Sequence, residues 1–216
     1  MLGGTGPAGA ALAARLAAVG YEVAVGSRSR YKAMEIVDGL KEKWPNYDLK
    51  LRACNNIDAA IFGELIIIAT PWDSTATMAL SVSDHLAEKV VISMANALAK
   101  VGNEFEPLVP PRGSVAASVQ ALVPRARVAA AFHHLPAREL GDLDKPVESD
   151  VLICSDHKSA TQAVSEITAK IPGCRPLDSG SLANATTIEA FTAVLLQLNH
   201  RYRTRSALRL TGINLD

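Results

Sequence analysis

Gly4-Thr5-Gly6-Pro7-Ala8-Gly9 stands almost at the start of the chain, with only Met1, Leu2 and Gly3 before it and an alanine-rich run to Val19 after it. The spacing is G-x-G-x-x-G, the turn from strand to helix that admits a dinucleotide. In such a turn the first glycine (Gly4) makes the tight bend and the second (Gly6) lets the backbone approach a pyrophosphate. The third (Gly9) lets the helix pack close to the sheet. Pro7 offers no N–H and suits a first helical turn, where none is required. Leu12, Leu16 and Val19 recur at helical spacing and Gly20 follows, so residues 9–19 read as a helix with a glycine stop.

Outward from that turn the sequence keeps alternating its period. Residues 21–25 are β-prone, and Ser29 caps a helix running to about 43 with Ala33, Ile36 or Val37, and Leu40 inward; Trp44-Pro45 ends it. Leu49, Leu51 and Ala53 alternate with Lys50 and Arg52 as in a half-exposed strand, and residues 57–62 make a short helix. Residues 65–70 (LIIIAT) are apolar on both faces, as a central parallel strand requires. A helix capped by Asp73 then reaches about 86, and a buried strand covers 89–94. Residues 95–112 read as a long loop. A helix with Val115, Val119 and Leu122 on one face precedes a strand over 128–132.

The last third repeats the pattern. A strand over 151–154 is followed by a helix capped by Asp156, with Ala160, Ala163 or Val164, Ile167 and Ile171 inward. A short strand follows over 174–177. A helix over 184–202 closes the chain, its expected core stripe being Ile188, Phe191, Leu195 and Leu198. Strands separated by helices throughout predict an α/β fold. It is a doubly wound, mainly parallel Rossmann-type sheet with helices on both faces and a C-terminal α/β extension. Residues 1–124 form its nucleotide-binding domain, and 125–216 complete the sheet and the cosubstrate site. The first strand is truncated, because a phosphate-binding turn should follow about five strand residues. The expectation is either a natural start upstream or a less stable chain.

Composition excludes several classes. Of 216 residues 49% are hydrophobic and 20% charged, which rules out intrinsic disorder. Lys+Arg and Asp+Glu both number 22, so no net charge draws the protein to nucleic acid or a membrane surface. The apolar run 65–69 falls far short of the ~20 residues that span a bilayer. Residues 1–9 lack the pattern of a signal peptide. Cys54, Cys154 and Cys174 are too few and scattered for a disulfide framework or a zinc knuckle; they read as reduced core thiols of a cytoplasmic protein.

The end of the second strand decides the nucleotide. A site for NAD places an acidic residue there to hold the ribose 2′-hydroxyl. This chain has Gly26-Ser27-Arg28, with Lys32 one turn on, so a hydroxyl, a guanidinium and an ammonium converge on a 2′-phosphate. The cofactor read from the residues is therefore NADP(H). Thr70-Pro71-Trp72 follows the LIIIAT strand where the nicotinamide ribose would pass, with Trp72 either there or in the core. His133-His134-Leu135-Pro136-Ala137 follows another strand end and faces the same crevice. No Ser-His-acid or Cys-His arrangement has supporting context, and no histidine has metal-ligand spacing, so no metal is expected. His85, His157 and His200 read as surface or capping residues. Arg201, Arg203, Arg205 and Arg209 form either a solvated tail or a holder for an anionic cosubstrate.

Taken together, LGGTGPAG (residues 2–9), VGSRS (25–29), ATPW (69–72), FHHLPA (132–137) and RPLDSGSLANATTIE (175–189) resemble the NADPH-dependent reductases of coenzyme F420, a deazaflavin. The likeness covers nearly the whole chain, and its last segment is the most specific. It implies a small Rossmann-type oxidoreductase, commonly a homodimer, in which F420 stacks on the nicotinamide of NADP(H). It further implies that Thr5, Gly6, Pro7 and Ala8 contact the pyrophosphate and that Ser27, Arg28 and Lys32 contact the 2′-phosphate. Pro71 and Ala137 would line the nicotinamide end, and His133 and Leu135 would flank the deazaflavin. The chain departs from the family in its truncated first strand, in MANAL after Ser93, and in its arginine-rich end. Two other readings stay open: an NADP-dependent reductase of a small carbonyl or imine with His133, His134 or Lys100 as proton donor, and a non-catalytic NADP(H)-binding protein.

Overall fold

The structure, a computed structural model, describes residues 1–214. Its first helix, α1 (Pro7–Ala18), starts directly after Gly6 with proline in its first turn. Ala11, Ala13, Ala14 and Ala17 keep this helix slim enough to be buried over most of its surface. Next come β1 (Val23–Ser27) and α2 (Arg30–Lys43), the latter capped by the Ser29 hydroxyl, which accepts the Lys32 N–H as expected. They lead to β2 (Leu51–Asn55), α3 (Asn56–Phe62), β3 (Leu65–Ile68), α4 (Trp72–Ser81) and β4 (Val90–Ser93). A hairpin of β5 (Leu98–Val101) and β6 (Glu104–Pro107) precedes α5 (Val115–Leu122), β7 (Arg127–Ala130) and the short α6 (Ala137–Leu140). The chain closes with β8 (Ser149–Ser155), α7 (Lys158–Ala169), β9 (Cys174–Asp178) and α8 (Ala185–Tyr202).

Strands β3-β4-β7-β8-β9 form one sheet in that order, and β1 and β2 form a parallel pair. The first four residues join the two. Leu2 donates its N–H to the Ile67 carbonyl (2.7 Å) and accepts from Ala69 N–H (2.9 Å). On the other side Gly26 N–H donates to the Met1 carbonyl (2.8 Å), and Gly4 N–H to the Gly26 carbonyl (2.9 Å). Before the glycine turn the pairing amounts to a single parallel bridge, Leu2 to Ile68, between the two. An apolar cavity of about 380 Å³ lies beside it at the amino ends of β1 and β3, lined by Met1, Leu16, Tyr21, Val23, Leu65 and Ile67.

Several expected features shift, each for a local reason. Residues 95–112 contain the β5–β6 hairpin rather than a continuous loop, with Gly102 (φ +60°) supplying its turn. Strand β7 stops at Ala130 and not at Phe132, because Phe132 itself takes a left-handed conformation (φ +63°). It pairs antiparallel with β8, so the sheet is mainly and not wholly parallel. Pro71, not Asp73, stands at the cap of α4, and a separate 3₁₀ turn covers Ser83–His85. Asp156 accepts from the Leu182 N–H (3.0 Å) instead of capping α7, whose cap residue is His157.

In α8 the expected stripe is rotated. Leu195 is buried, but Leu198 is 37% exposed, while the polar Glu189 and Thr192 face inward. Their tasks explain the rotation. The Glu189 carboxylate accepts from Val115 N–H (2.8 Å) and Ala116 N–H (3.2 Å) at the start of α5, and the Thr192 hydroxyl reaches Asn96.

Candidate functional site

The carboxyl ends of β1, β3, β4 and β7 open on one side of the sheet, where a doubly wound fold places its ligands. The glycine turn sits at its centre. Gly3, with φ +65°, makes the tight bend that the sequence reading gave to Gly4, and an added Cβ there would lie 2.5 Å from the Thr70 methyl. The Gly3 N–H donates to Asn56 Oδ1 (3.0 Å), a pin from the start of α3. A Cβ on Gly9 would lie 2.9 Å from Ala69 Cβ and 3.0 Å from Gly4 Cα, so the third glycine does bring α1 close to the sheet. Around Gly6 the space is open. Thr5 and Ala8 are half-buried at the rim, Pro7 is exposed, and the first amides of α1 lack intrahelical acceptors.

Beyond β1 lies a cavity of about 560 Å³, lined by Ser27, Arg28, Asn56, Ile57, Thr77 and Met78, with the Asp73 carboxylate entering from α4. Ser27 is buried and its hydroxyl accepts from the Ser29 N–H (3.3 Å). Arg28 and Lys32 are exposed and belong to no ion pair among the described residues. Arg28 and the buried Ser27 hydroxyl thus line one cavity, which the Asp73 carboxylate shares, whereas Lys32, one turn on in α2, is not among its lining residues.

At the opposite end of the crevice the Thr70 hydroxyl meets that of Thr75 (3.0 Å), which also donates to the Pro71 carbonyl (3.0 Å), fixing the entry to α4. Trp72 is half-buried against Ala95, Ala97 and Val115. Pro71 is exposed and Ala137 half-buried, which leaves both available to a ligand. The expectation that both histidines face the crevice is not met. After the left-handed turn at Phe132 the chain folds inward, leaving His133 6% and His134 4% exposed and Leu135 buried.

The two imidazoles pack edge to face, 5.1 Å between centroids. His134 Nε2 lies 2.7 Å from the Asp150 carbonyl, which can only accept, so that nitrogen carries the proton. Among the described residues neither ring nitrogen of His133 has a partner in good hydrogen-bond geometry, the Ala131 backbone making only a weak approach. Burial, with its neighbour His134, pushes His133 down to about 3; burial also lowers His134.

The arginine run is not a loose anion collector. Arg201 pairs with Glu104, Arg205 with Glu139, and Arg209 with both Glu148 and Asp150. Burial alone would raise the Asp150 carboxyl, but Arg175, the Leu210 N–H and Arg209 together hold it at about 2. The segment is thus a strap tied to β8 and α6. The three cysteines are buried and unpaired, and burial pushes Cys154 up to about 12 and Cys174 to about 11, beyond thiolate chemistry.

Sequence reasoning missed Gly3, Asn56, Asn96, Thr192 and Arg15. Only Arg15 carried a signal, as a lone cation inside an alanine-rich apolar helix.

Comparison with known proteins follows this geometry. The family described as NADP oxidoreductase, coenzyme F420-dependent, matches residues 1–97. The chain is 34% identical to the F420-dependent NADP reductase of Methanocaldococcus jannaschii, across all of this chain and 98% of that one. It is 36% identical to the F420-dependent NADP reductase of Methanothermobacter marburgensis, across 99% and 97% of the two chains. Its fold is similar to the crystal structure of a protein from Arthrobacter sp. FB24, with a TM-score of 0.79 over 96% of each chain at 21% identity.

Proposed function

This chain belongs to the coenzyme F420-dependent NADP oxidoreductases, and on that premise we propose how its residues divide the work of hydride transfer between NADP(H) and F420. The observation that carries the reading is Arg28 directly after β1, lining a cavity with Ser27, with Lys32 one turn on and no acidic residue at the strand end where an NAD enzyme keeps a carboxylate. Ser27, Arg28 and Lys32 hold the 2′-phosphate. Gly4, Thr5, Gly6, Pro7, Ala8 and Gly9 shape the pyrophosphate seat at the start of α1. Thr70, Pro71 and Ala137 line the nicotinamide end, with His133 and Leu135 behind the deazaflavin.

When bound, NADP(H) and F420 would supply the hydride donor and acceptor. The protein's share is to align the two rings and exclude water. Reduction of a small carbonyl or imine finds less support: it needs a proton donor facing the substrate, and His133 and His134 are buried while Lys100 is exposed on the β5–β6 hairpin.

Residues 1–124 act as the nucleotide-binding part and 125–216 as the part that completes the cosubstrate site. Exposed Val194, Leu198 and Tyr202 on α8 support a homodimer, and the buried unpaired cysteines suit a reducing cytoplasm. Mixing the protein with NADPH and oxidised F420 and following the deazaflavin absorbance tests the reading. Loss of absorbance at a rate proportional to enzyme is expected; NADPH binding without it would contradict the reading.

A further inference from the structure

The loop after β4 carries a side chain that nothing above uses in catalysis. Asn96 donates its amide N–H to the His133 carbonyl (2.7 Å), and its own Oδ1 lies 3.2 Å from the Thr192 hydroxyl of α8. One side chain therefore ties the end of β4 to the turn after β7 and is itself held by the closing helix. That turn needs holding. Phe132 is fully buried yet left-handed, a strained conformation for a bulky residue, and the His133 ring behind it is buried as well. Among the described residues, hydrogen bonds hold the turn to β4 at the Ala131 N–H to the Ser93 carbonyl (3.2 Å) and, just beyond β4, through this amide.

We infer that Asn96 is a positioning residue for hydride transfer, fixing the Phe132–Ala137 turn against β4 so that its half-exposed end, Pro136 and Ala137, meets the cosubstrate in one geometry. The inference rests on the assignment of that turn to the deazaflavin end. Asn96 acts through the turn, not on the coenzymes, and it lies apart from the residues that hold the 2′-phosphate. Loss of its donor should therefore lower turnover and leave nucleotide affinity alone.

Two readouts test this. Asn96→Ala, and Asn96→Asp, which keeps the size but cannot donate to a carbonyl, should each lower kcat at least tenfold with the NADPH KM within twofold. In parallel, carbethoxylation of His133, mapped by peptide mass spectrometry, should run at least fivefold faster in these variants than in the wild-type protein, where burial shields the ring. Thr192→Val should show a smaller loss of the same kind and Thr192→Ser should restore it. Unchanged kcat, unchanged His133 shielding, or a KM that rises in step with the fall in kcat would each overturn the inference. If Asn96→Ala does not fold, Thr192→Val decides on the same readouts. A wild-type protein inert toward F420 would count against the functional reading, and His133 shielding would then decide this inference alone.

Discussion

Arg28 occupies the position from which a carboxylate would otherwise grip an unmodified ribose, and no ion pair of its own competes for it among the described residues. Arg28→Ala should weaken NADPH binding by about 1.5–3 kcal/mol, the scale of one charged hydrogen bond, while NADH binding stays nearly constant. Titration calorimetry with both nucleotides checks it, and equal losses would contradict the role. Glu189 makes a second prediction at this scale. Burial raises its carboxyl to about 7, against the partial relief of two amide donors. A carboxyl held above its unfolded value binds its proton more tightly in the native state. Its stabilisation is therefore full below about 4.5 and is lost as pH rises through about 7. Melting curves of wild type and Glu189→Gln should show the wild type gaining on the variant as pH falls from 8 to 5; a pH-independent difference would contradict this. The turn at residues 4–9 and the Ser29 cap after β1 were legible in the sequence because each is a local backbone signal. Asn56, Asn96 and Thr192 were not, because each acts across dozens of residues and asparagine and threonine look the same in any loop or helix.

The elements show where periodicity suffices and where it does not. Strand β3 and helix α2 fall close to where hydrophobic spacing and a serine cap predict them, since burial alone fixes them. Strand β7 ends early because backbone conformation at Phe132, invisible to hydropathy, overrides an apolar run. Helix α8 is rotated because Glu189 and Thr192 are needed inside. Helix α1 carries a comparable polar device. Buried Arg15 donates to the carbonyls of Leu140 (2.9 Å), Lys145 (3.0 Å) and Glu139 (3.0 Å), and to that of Asp142, tying α1 to the turn after α6. Arg15→Met keeps the apolar stem but leaves those carbonyls unpaired, with a cost of roughly 3 kcal/mol or more. That corresponds to a Tm lower by about 6–12 °C. A melt within 2 °C of wild type would show that water replaces the guanidinium at no cost.

Across the whole molecule the glycine turn, the Arg28 pocket and the Phe132–Ala137 turn come from segments far apart in sequence, and the parallel strands bring their carboxyl ends to one crevice. The class of fold and the nucleotide were readable because strand–helix alternation and a glycine fingerprint are regular signals. The antiparallel β8, the hairpin at 98–107 and the strap of paired arginines were not, because pairing direction and charge partners are decided by the assembled sheet. On the reading proposed above, the hydride passes directly from ring to ring. Reaction of F420 with NADPH carrying deuterium at both C4 positions, followed by mass analysis of the reduced deazaflavin, tests this most directly. One deuterium retained on the deazaflavin is the predicted result; a product labelled only from solvent would contradict the account.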